Sequence, residues 1–227
     1  WEKTNPPDRL NRIELSMRCL LVDDGRNRVL IESGIGDKID NSFIEMFNIK
    51  KEKYSLYKAL SEIAETLLKW VEENIPMEIT KQFSMPLSEM VHHSPRNLLR
   101  VIHYPPLKGN EKPGMVRAAA HGDINLLTVL VAGTQPGLQV QDVNGNWHDV
   151  SCDPGTIAVN TGDMLKMASN GYLPSTIHRV INPSNEIPNQ SRLSMPLFLH
   201  PHDHVKLSEQ YTAIGFLNER LQEIGLK

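Results

Sequence analysis

The sequence predicts a mainly β protein of the barrel or jelly-roll class with flanking helices. Three observations point there. Between about residues 99 and 199 the chain divides into short apolar segments separated by Gly, Pro and Asn turns. Two of these segments meet at Asn144-Gly145, a strong hairpin signal because both residues accept positive φ. The strongest helical periodicity lies on either side of this region, over residues 55–75 and 208–224.

Taken in order, residues 1–12 are polar, contain prolines and read as irregular. Residues 13–22 partly alternate and predict a strand. Asp23-Asp24-Gly25-Arg26 predicts a turn, because Gly and Asp tolerate positive φ. Val29–Glu32 predicts a second short strand, followed by the glycine-bearing loop Ser33-Gly34-Ile35-Gly36. From Ser55 the period lengthens: Leu56, Leu60, Ile63, Leu67, Val71 and Ile75 recur at steps of three and four, and Pro76 ends the helix. A weaker helix is expected from about Pro86 to His93. Strands are expected at 99–104, stopped by Pro105-Pro106, and at 124–132, 138–143, 147–150, 156–160, 177–181 and 192–199. The final helix should present Tyr211, Ile214, Leu217, Leu221 and Ile224 on one face.

Composition bounds the function. The chain has 227 residues, 40 % hydrophobic and 22 % charged, the balance of a soluble globular domain. It carries 24 basic and 27 acidic residues, a net charge of −3, so it has no cationic excess with which to collect phosphates. Nucleic acid is therefore not an expected partner. No apolar run reaches the roughly 18 residues that span a bilayer, so no membrane partner is expected either. The first residues have no basic-then-apolar leader pattern, and Cys19 and Cys152 are too few for a disulfide framework. Cytoplasmic localisation is the expectation. The chain opens on Trp1 rather than Met, as a fragment or a processed chain would.

His121-Gly122-Asp123 is the first candidate for chemistry. By itself it reads as readily as a polar turn between strands. Its context adds weight: it follows the small-residue run Ala118-Ala119-Ala120 and precedes the apolar segment Leu126–Leu130. His178 stands alone in a second strand-like segment, Ser175–Val180. Two neutral imidazoles and one carboxylate can occupy one face of an octahedral Fe(II), leaving three positions open. If His121 and Asp123 sit two apart on a strand, their side chains point the same way. A distant strand would then supply the third ligand. Arg192-Leu193-Ser194 repeats the two-residue spacing, and a guanidinium with a hydroxyl can hold a carboxylate. Arg192 alone reads more readily as an edge-strand residue in a surface ion pair.

Taken together, the segments form a continuous pattern. Arg100–Pro106, His121–Leu130, Pro136–Val140, Gly145-Asn146-Trp147, Val159–Asp163, Ser175–Val180 and Arg192-Leu193-Ser194 occur in an order that resembles the isopenicillin N synthase-like family of Fe(II)/2-oxoglutarate dioxygenases. The match runs over about residues 55–207. The resemblance implies a double-stranded β-helix, with iron held by His121, Asp123 and His178. It implies that Arg192 and Ser194 bind the distal carboxylate of 2-oxoglutarate. It places Tyr104 beside that co-substrate, although the Asn expected two residues earlier is Ile102 here. Residues 182–191 look like an insertion in the loop before Arg192. The implied cofactors are Fe(II), 2-oxoglutarate as co-substrate, and O2. The implied reaction oxidises, most simply hydroxylates, a small-molecule substrate while 2-oxoglutarate becomes succinate and carbon dioxide.

Residues 1–57 do not resemble the N-terminal half of that family. Trp1-Glu2-Lys3, Asn5-Pro6-Pro7-Asp8 and Arg18–Lys38 resemble instead the opening hairpin of a metallo-β-lactamase-fold hydrolase, with none of that family's metal ligands. The expected division is therefore an atypical segment 1–52, from fusion or chimerism, and an oxygenase domain 53–227. His200-Pro201-His202-Asp203-His204 comes one residue short of the hydrolase metal motif and reads as a polar loop, with an adventitious surface metal site as a lesser alternative. Cys152 sits in a turn. His92, His93 and His103 read as core or surface imidazoles, Trp147 as packing, and Asp163 as part of a turn. Two other functions stay open: an oxidase of the same fold that uses no 2-oxoglutarate, and a non-catalytic metal-binding module. The oligomeric state and the substrate are not legible.

Overall fold

The computed structural model describes residues 20–23, 28–31, 56–112, 114–183 and 189–226. The chain separates into two compact units, residues 1–59 and 60–227. In the first, strands β1 (Leu20–Asp23) and β2 (Arg28–Ile31) form an antiparallel hairpin with Leu20 opposite Ile31. The expected strand beginning at residue 13 and the loop at 33–36 otherwise fall outside the described residues, as does Cys19.

The first long helix, α1 (Leu56–Glu73), ends short of Pro76 as expected. Its buried stripe is Leu60, Ala64 and Leu68, at a regular spacing of four, whereas Ile63 is exposed. The apolar ladder read from the sequence is thus displaced by one residue at Ile63 and at Leu67. Two short helices follow, α2 (Met77–Thr80) and α3 (Leu87–Val91), each opened by a proline whose fixed φ suits the entry to a helix. The α3 segment matches the weaker helix expected near 86–93, and Leu87, Met90 and Val91 are fully buried.

Among the described residues of the second unit, nine strands then make two sheets. They are β3 (Leu98–Leu99), β4 (Ile102–Tyr104), β5 (Ala118–His121), β6 (Leu127–Val131), β7 (Leu138–Gln141), β8 (Trp147–Asp149), β9 (Ile157–Thr161), β10 (His178–Val180) and β11 (Arg192–Leu199). One sheet has the order β5-β10-β7-β8; the other has β3-β11-β6-β9, with β4 also pairing with β11. The pairings among them are antiparallel, and strands distant in sequence lie side by side, the architecture of a jelly roll. At the β7–β8 turn Gly145 has φ +85°, and Asp142 Oδ1 accepts bonds from the amides of Asn144 and Asn146. The Asn-Gly hairpin is therefore present as read.

One strand escaped the sequence reading. β5 is largely alanine, a residue depleted in strands, and it is held by pairing with β10. A short helix, α4 (Asp163–Ala168), was also not expected; it begins just after Gly162. The last helix, α5 (Ala213–Glu223), is capped by Thr212, whose hydroxyl accepts the Gly215 amide. It buries Ala213 and Phe216, while Ile224 is largely exposed, so the face read from Tyr211, Ile214, Leu217, Leu221 and Ile224 is not the buried one.

Register assigns the faces of the second sheet. Directly opposed residues share a face, and successive residues alternate. Thr128 lies opposite both Phe198 and Asn160; Leu130 lies opposite Pro196 and Ala158. Arg192 lies opposite Tyr104, and Ser194 opposite Ile102. All of these residues line one face. The other face carries Leu127, Val129, Leu197 and Leu199, all essentially inaccessible, and forms the apolar core with the stripes of α1 and α3. Because β6 is buried on both faces, its residues 127–130 read as a continuous apolar run rather than an alternating one. Among the described residues no helix is long and apolar enough to cross a membrane.

Candidate metal centre

His121 is the last residue of β5, and His178 is the first of β10. They stand directly opposite one another in that ladder. Their rings lie 4.4 Å apart between centroids, tilted by 52°. Asp123 is in the loop after β5, not on the same strand as His121, so the shared-strand geometry read from the spacing does not hold. The loop instead turns the carboxylate back, placing Asp123 Oδ1 3.7 Å from His178 Nε2. One ligand atom from each of His121, Asp123 and His178 falls within 4.8 Å of the others, and this is the only such group of His, Cys, Asp or Glu among the described residues. His200–His204 does not form one. Its members serve a polar loop, in which Asp203 takes two bonds from Arg96 and His202 bonds the His92 carbonyl.

Hydrogen bonds fix how the three residues present their lone pairs. His121 Nδ1 lies 2.7 Å from the Ala119 carbonyl, and His178 Nδ1 lies 3.1 Å from the Thr176 carbonyl. A carbonyl only accepts, so each Nδ1 carries the proton and donates it. In the neutral ring this leaves the lone pair on Nε2, the nitrogen that can bind a metal, with the opposite nitrogen tied to the backbone. Asp123 is 7 % exposed. Its Oδ2 accepts from Thr128 Oγ1 at 2.6 Å and from Asn160 Nδ2 at 2.8 Å. Its own carbonyl accepts the Asp163 amide at the start of α4. Gly162 is required at that junction, because a Cβ there would collide with the Asn125 carbonyl. Two imidazole nitrogens and a carboxylate oxygen on one side of a site suit a divalent first-row metal, Fe(II) included.

Arg192 is not the surface residue that its sequence position also allowed. It is 2 % exposed, on a strand with partners on either side. Its Nε donates to the Gln135 carbonyl at 2.9 Å, whereas Nη1 is buried with no partner among the described residues. Burial lowers its pKa from the ordinary value, but a guanidinium stays charged. Among the described residues no carboxylate pairs with it. A buried cation with an unused donor is costly unless an anion completes it. Ser194, 6 % exposed, shares its face. Tyr104 is its cross-strand neighbour, with the ring centroid 5.6 Å from the guanidinium carbon. The donor set and this orphaned N–H fit a metal and a carboxylate-bearing co-substrate respectively. Arg192 also lines a small cavity with Leu130, Gly133, Leu138, Cys152 and Ala158. Leu130 is two residues along the same inner face from Thr128, or about 7 Å. The metal donors and the arginine therefore belong to neighbouring levels of one interior.

Sequence reasoning passed over Thr128, Asn160 and Gly133. Thr128 and Asn160 were inside recognised segments, but only strand register brings them together on Asp123. Gly133 lies against Arg192, where a Cβ would come within 2.6 Å of Nη2. The expected insertion at 182–191 is described only at its two ends, where Asn182 Nδ2 donates to the Met115 carbonyl, and the Asn189 side chain accepts the Leu107 amide at Oδ1 and donates to the Leu107 carbonyl from Nδ2. Cys152 is a free, half-buried cysteine, and Trp147 stacks under the Arg179 guanidinium at 4.0 Å.

Comparison with known proteins points to one family. The family model of the 2OG-Fe(II) oxygenase superfamily matches residues 95–201. The crystal structure of a candidate oxygenase from Shewanella oneidensis is 41 % identical, with a TM-score of 0.70, covering 100 % of this chain and 80 % of that one. A 2-oxoglutarate-Fe(II) type oxidoreductase from Aspergillus fumigatus is 31 % identical over 156 residues, 68 % of this chain and 43 % of its own length. A full-length Neurospora crassa protein, crystallised in complex with alpha-KG, is 25 % identical with a TM-score of 0.59, over 74 % of this chain and 55 % of that one. The chain spans less than half the length of several curated relatives it matches, between 29 % and 45 % for the first of them.

Proposed function

The chain belongs to the 2OG-Fe(II) oxygenase superfamily, and on that footing we propose that it is a 2-oxoglutarate-dependent dioxygenase oxidising a small molecule. The observation that carries the reading is the meeting of His121, Asp123 and His178 with a buried arginine that no carboxylate pairs with among the described residues. In this reading His121, Asp123 and His178 would hold Fe(II), the histidines through Nε2 and the aspartate through Oδ1. With 2-oxoglutarate and O2 bound, the metal supplies oxidation of a substrate C–H bond coupled to decarboxylation of 2-oxoglutarate to succinate.

The protein's own part is binding, orientation and exclusion of water. Backbone carbonyls orient both imidazoles and engage Nδ1 of each, so that Nε2 is the nitrogen turned to the metal. Arg192 and Ser194 receive the distal carboxylate of the co-substrate: Nη1 is the free donor, and the hydroxyl adds a second. Tyr104 offers its ring face to the same guanidinium. Leu130 and Ala158, beside Arg192, keep that end of the interior apolar, which strengthens the ion pair. Hydroxylation is the simplest outcome, and we infer no nucleic-acid or membrane partner. Division into units 1–59 and 60–227 supports an oxygenase domain over about residues 53–227, preceded by a separate segment 1–52.

The test is an anaerobic titration of the full chain with Fe(II) and 2-oxoglutarate, watching the charge-transfer absorption of a chelated 2-oxo acid. A band in the wild type, lost in His178→Ala and in Arg192→Ala, supports the proposal. Tight iron binding without the band overturns the co-substrate and favours an oxidase or a non-catalytic module. Failure to bind iron overturns the site.

A further inference from the structure

We propose that Thr128 and Asn160 are positioning residues that occupy Asp123 Oδ2, so that the carboxylate offers a bound metal Oδ1 alone. The inference rests on the metal-site reading above and goes beyond it in assigning how the aspartate binds.

The structural basis is a cross-strand pair. Thr128 of β6 and Asn160 of β9 are directly opposed, so both side chains leave the sheet on the same face. Both end on the same oxygen, at 2.6 and 2.8 Å. The direction of the threonine bond is fixed. Asn125 Nδ2, which can only donate, bonds Thr128 Oγ1 at 2.9 Å, leaving the hydroxyl proton for the carboxylate. Asn125 is in turn held by the Leu127 carbonyl and is 1 % exposed; Thr128 is 3 % exposed. The Thr128–Asp123 distance is at the short end for a hydroxyl donating to a carboxyl oxygen. Oδ1 has neither of these donors and faces His178 Nε2.

The consequence concerns coordination number. A carboxylate with both oxygens free can chelate a metal and fill two positions. Two donors on Oδ2 compete for the lone pairs that chelation needs, and they also fix the rotation of the carboxylate plane. One oxygen then binds, and the position that Oδ2 would have filled stays available to an exogenous ligand. Asn160 belongs to a segment with a turn role in the sequence, Asn160-Thr161-Gly162-Asp163. Here that segment reaches Asp123 twice, through the Asn160 side chain and through the Asp163 amide.

The experiment uses the full chain and Co(II), whose visible absorption reports coordination number, in the wild type and in Thr128→Val, Thr128→Ser and Asn160→Ala. Affinity is read by anaerobic titration and folding by near-ultraviolet circular dichroism. The expected result is a loss of about 10- to 100-fold in Co(II) affinity for Thr128→Val and Asn160→Ala. Their spectra should shift towards higher coordination, and Thr128→Ser should restore both wild-type values. Folded valine and alanine variants with wild-type affinity and spectrum would overturn the proposal while leaving the metal site intact. A wild-type chain that binds no Co(II) would overturn the metal-site reading and this inference with it. If Thr128→Val does not fold, Asn160→Ala, whose side chain is only half-buried, decides alone.

Discussion

Tyr104 and Arg192 are directly opposed across the β4–β11 ladder, and the guanidinium carbon lies 5.6 Å from the tyrosine ring centroid. The contact is made by the ring face, so the phenol oxygen is not its source. Cation–π attraction of this kind contributes on the order of 1 kcal/mol. Tyr104→Phe should therefore leave 2-oxoglutarate affinity nearly unchanged, and Tyr104→Ala should weaken it by about fivefold. Equal losses in both variants, measured by isothermal titration of the metal-loaded protein, would place the effect on the hydroxyl instead.

Gly133 separates the co-substrate end of the interior from the metal end in a testable way. A Cβ at this position would come within 2.6 Å of Arg192 Nη2 and 2.9 Å of Cζ. Gly133→Ala should displace the guanidinium and cost about one charge-assisted hydrogen bond, on the order of 10-fold or more in 2-oxoglutarate affinity. Metal affinity should hold. Parallel titrations with Co(II) and 2-oxoglutarate check both halves of that statement.

Gly162 is constrained by backbone rather than by a movable side chain, since its Cβ would strike the Asn125 carbonyl. Relief would require α4 to move away from the Asp123 loop. Gly162→Ala should destabilise the fold by about 1–3 kcal/mol, the usual range for overpacking. It should also loosen metal binding, because the Asp163 amide bond to the Asp123 carbonyl spans the same contact. Urea unfolding with unchanged slope would measure the first effect, and Co(II) titration the second.

Metal should stabilise the fold through binding to the native state alone. At a free concentration of 100 times the dissociation constant the gain is about 2.7 kcal/mol. The midpoint of thermal unfolding should rise with Mn(II) in the wild type and stay still in His121→Ala, Asp123→Ala and His178→Ala. A rise in all of them would locate the binding elsewhere.

His200 gives a pH dependence of known sign. Burial is the main cause that holds its pKa below the ordinary value near 6.5; the Phe198 backbone and Asp123 oppose the shift, and the Arg96 charge adds to it. Its Nδ1 has no partner. A base with a depressed folded pKa contributes stability that is present above its unfolded pKa and is lost as pH falls through the folded value. Unfolding free energy should therefore drop as pH falls below about 6.5. His200→Gln should flatten that slope, whatever its stability at pH 7. An unchanged slope in urea unfolding across this window would assign the dependence to other groups. Asp203, held below the carboxylate range by its bonds to Arg96, titrates lower and does not interfere.

The sequence by itself determined most of the strands, the hairpin at Asn144-Gly145, the β11 limits Arg192–Leu199 and the identities of the residues that meet at the centre. Those signals are local: side-chain alternation, turn residues and an ordered series of short motifs. Tertiary structure decided what depends on register and closure. It made β5 a strand despite its alanines, because β10 supplies the hydrogen bonds. It set His121 opposite His178 rather than in line with Asp123. It buried Arg192 and joined Thr128 to Asn160 on one oxygen of Asp123. It also chose which stripe of α1 and α5 went inside, since several apolar spacings fit a helix but only the one facing the core is buried. A period of two tells which side of a strand a residue takes. It does not tell which residue of another strand stands opposite, and that is where the site is made.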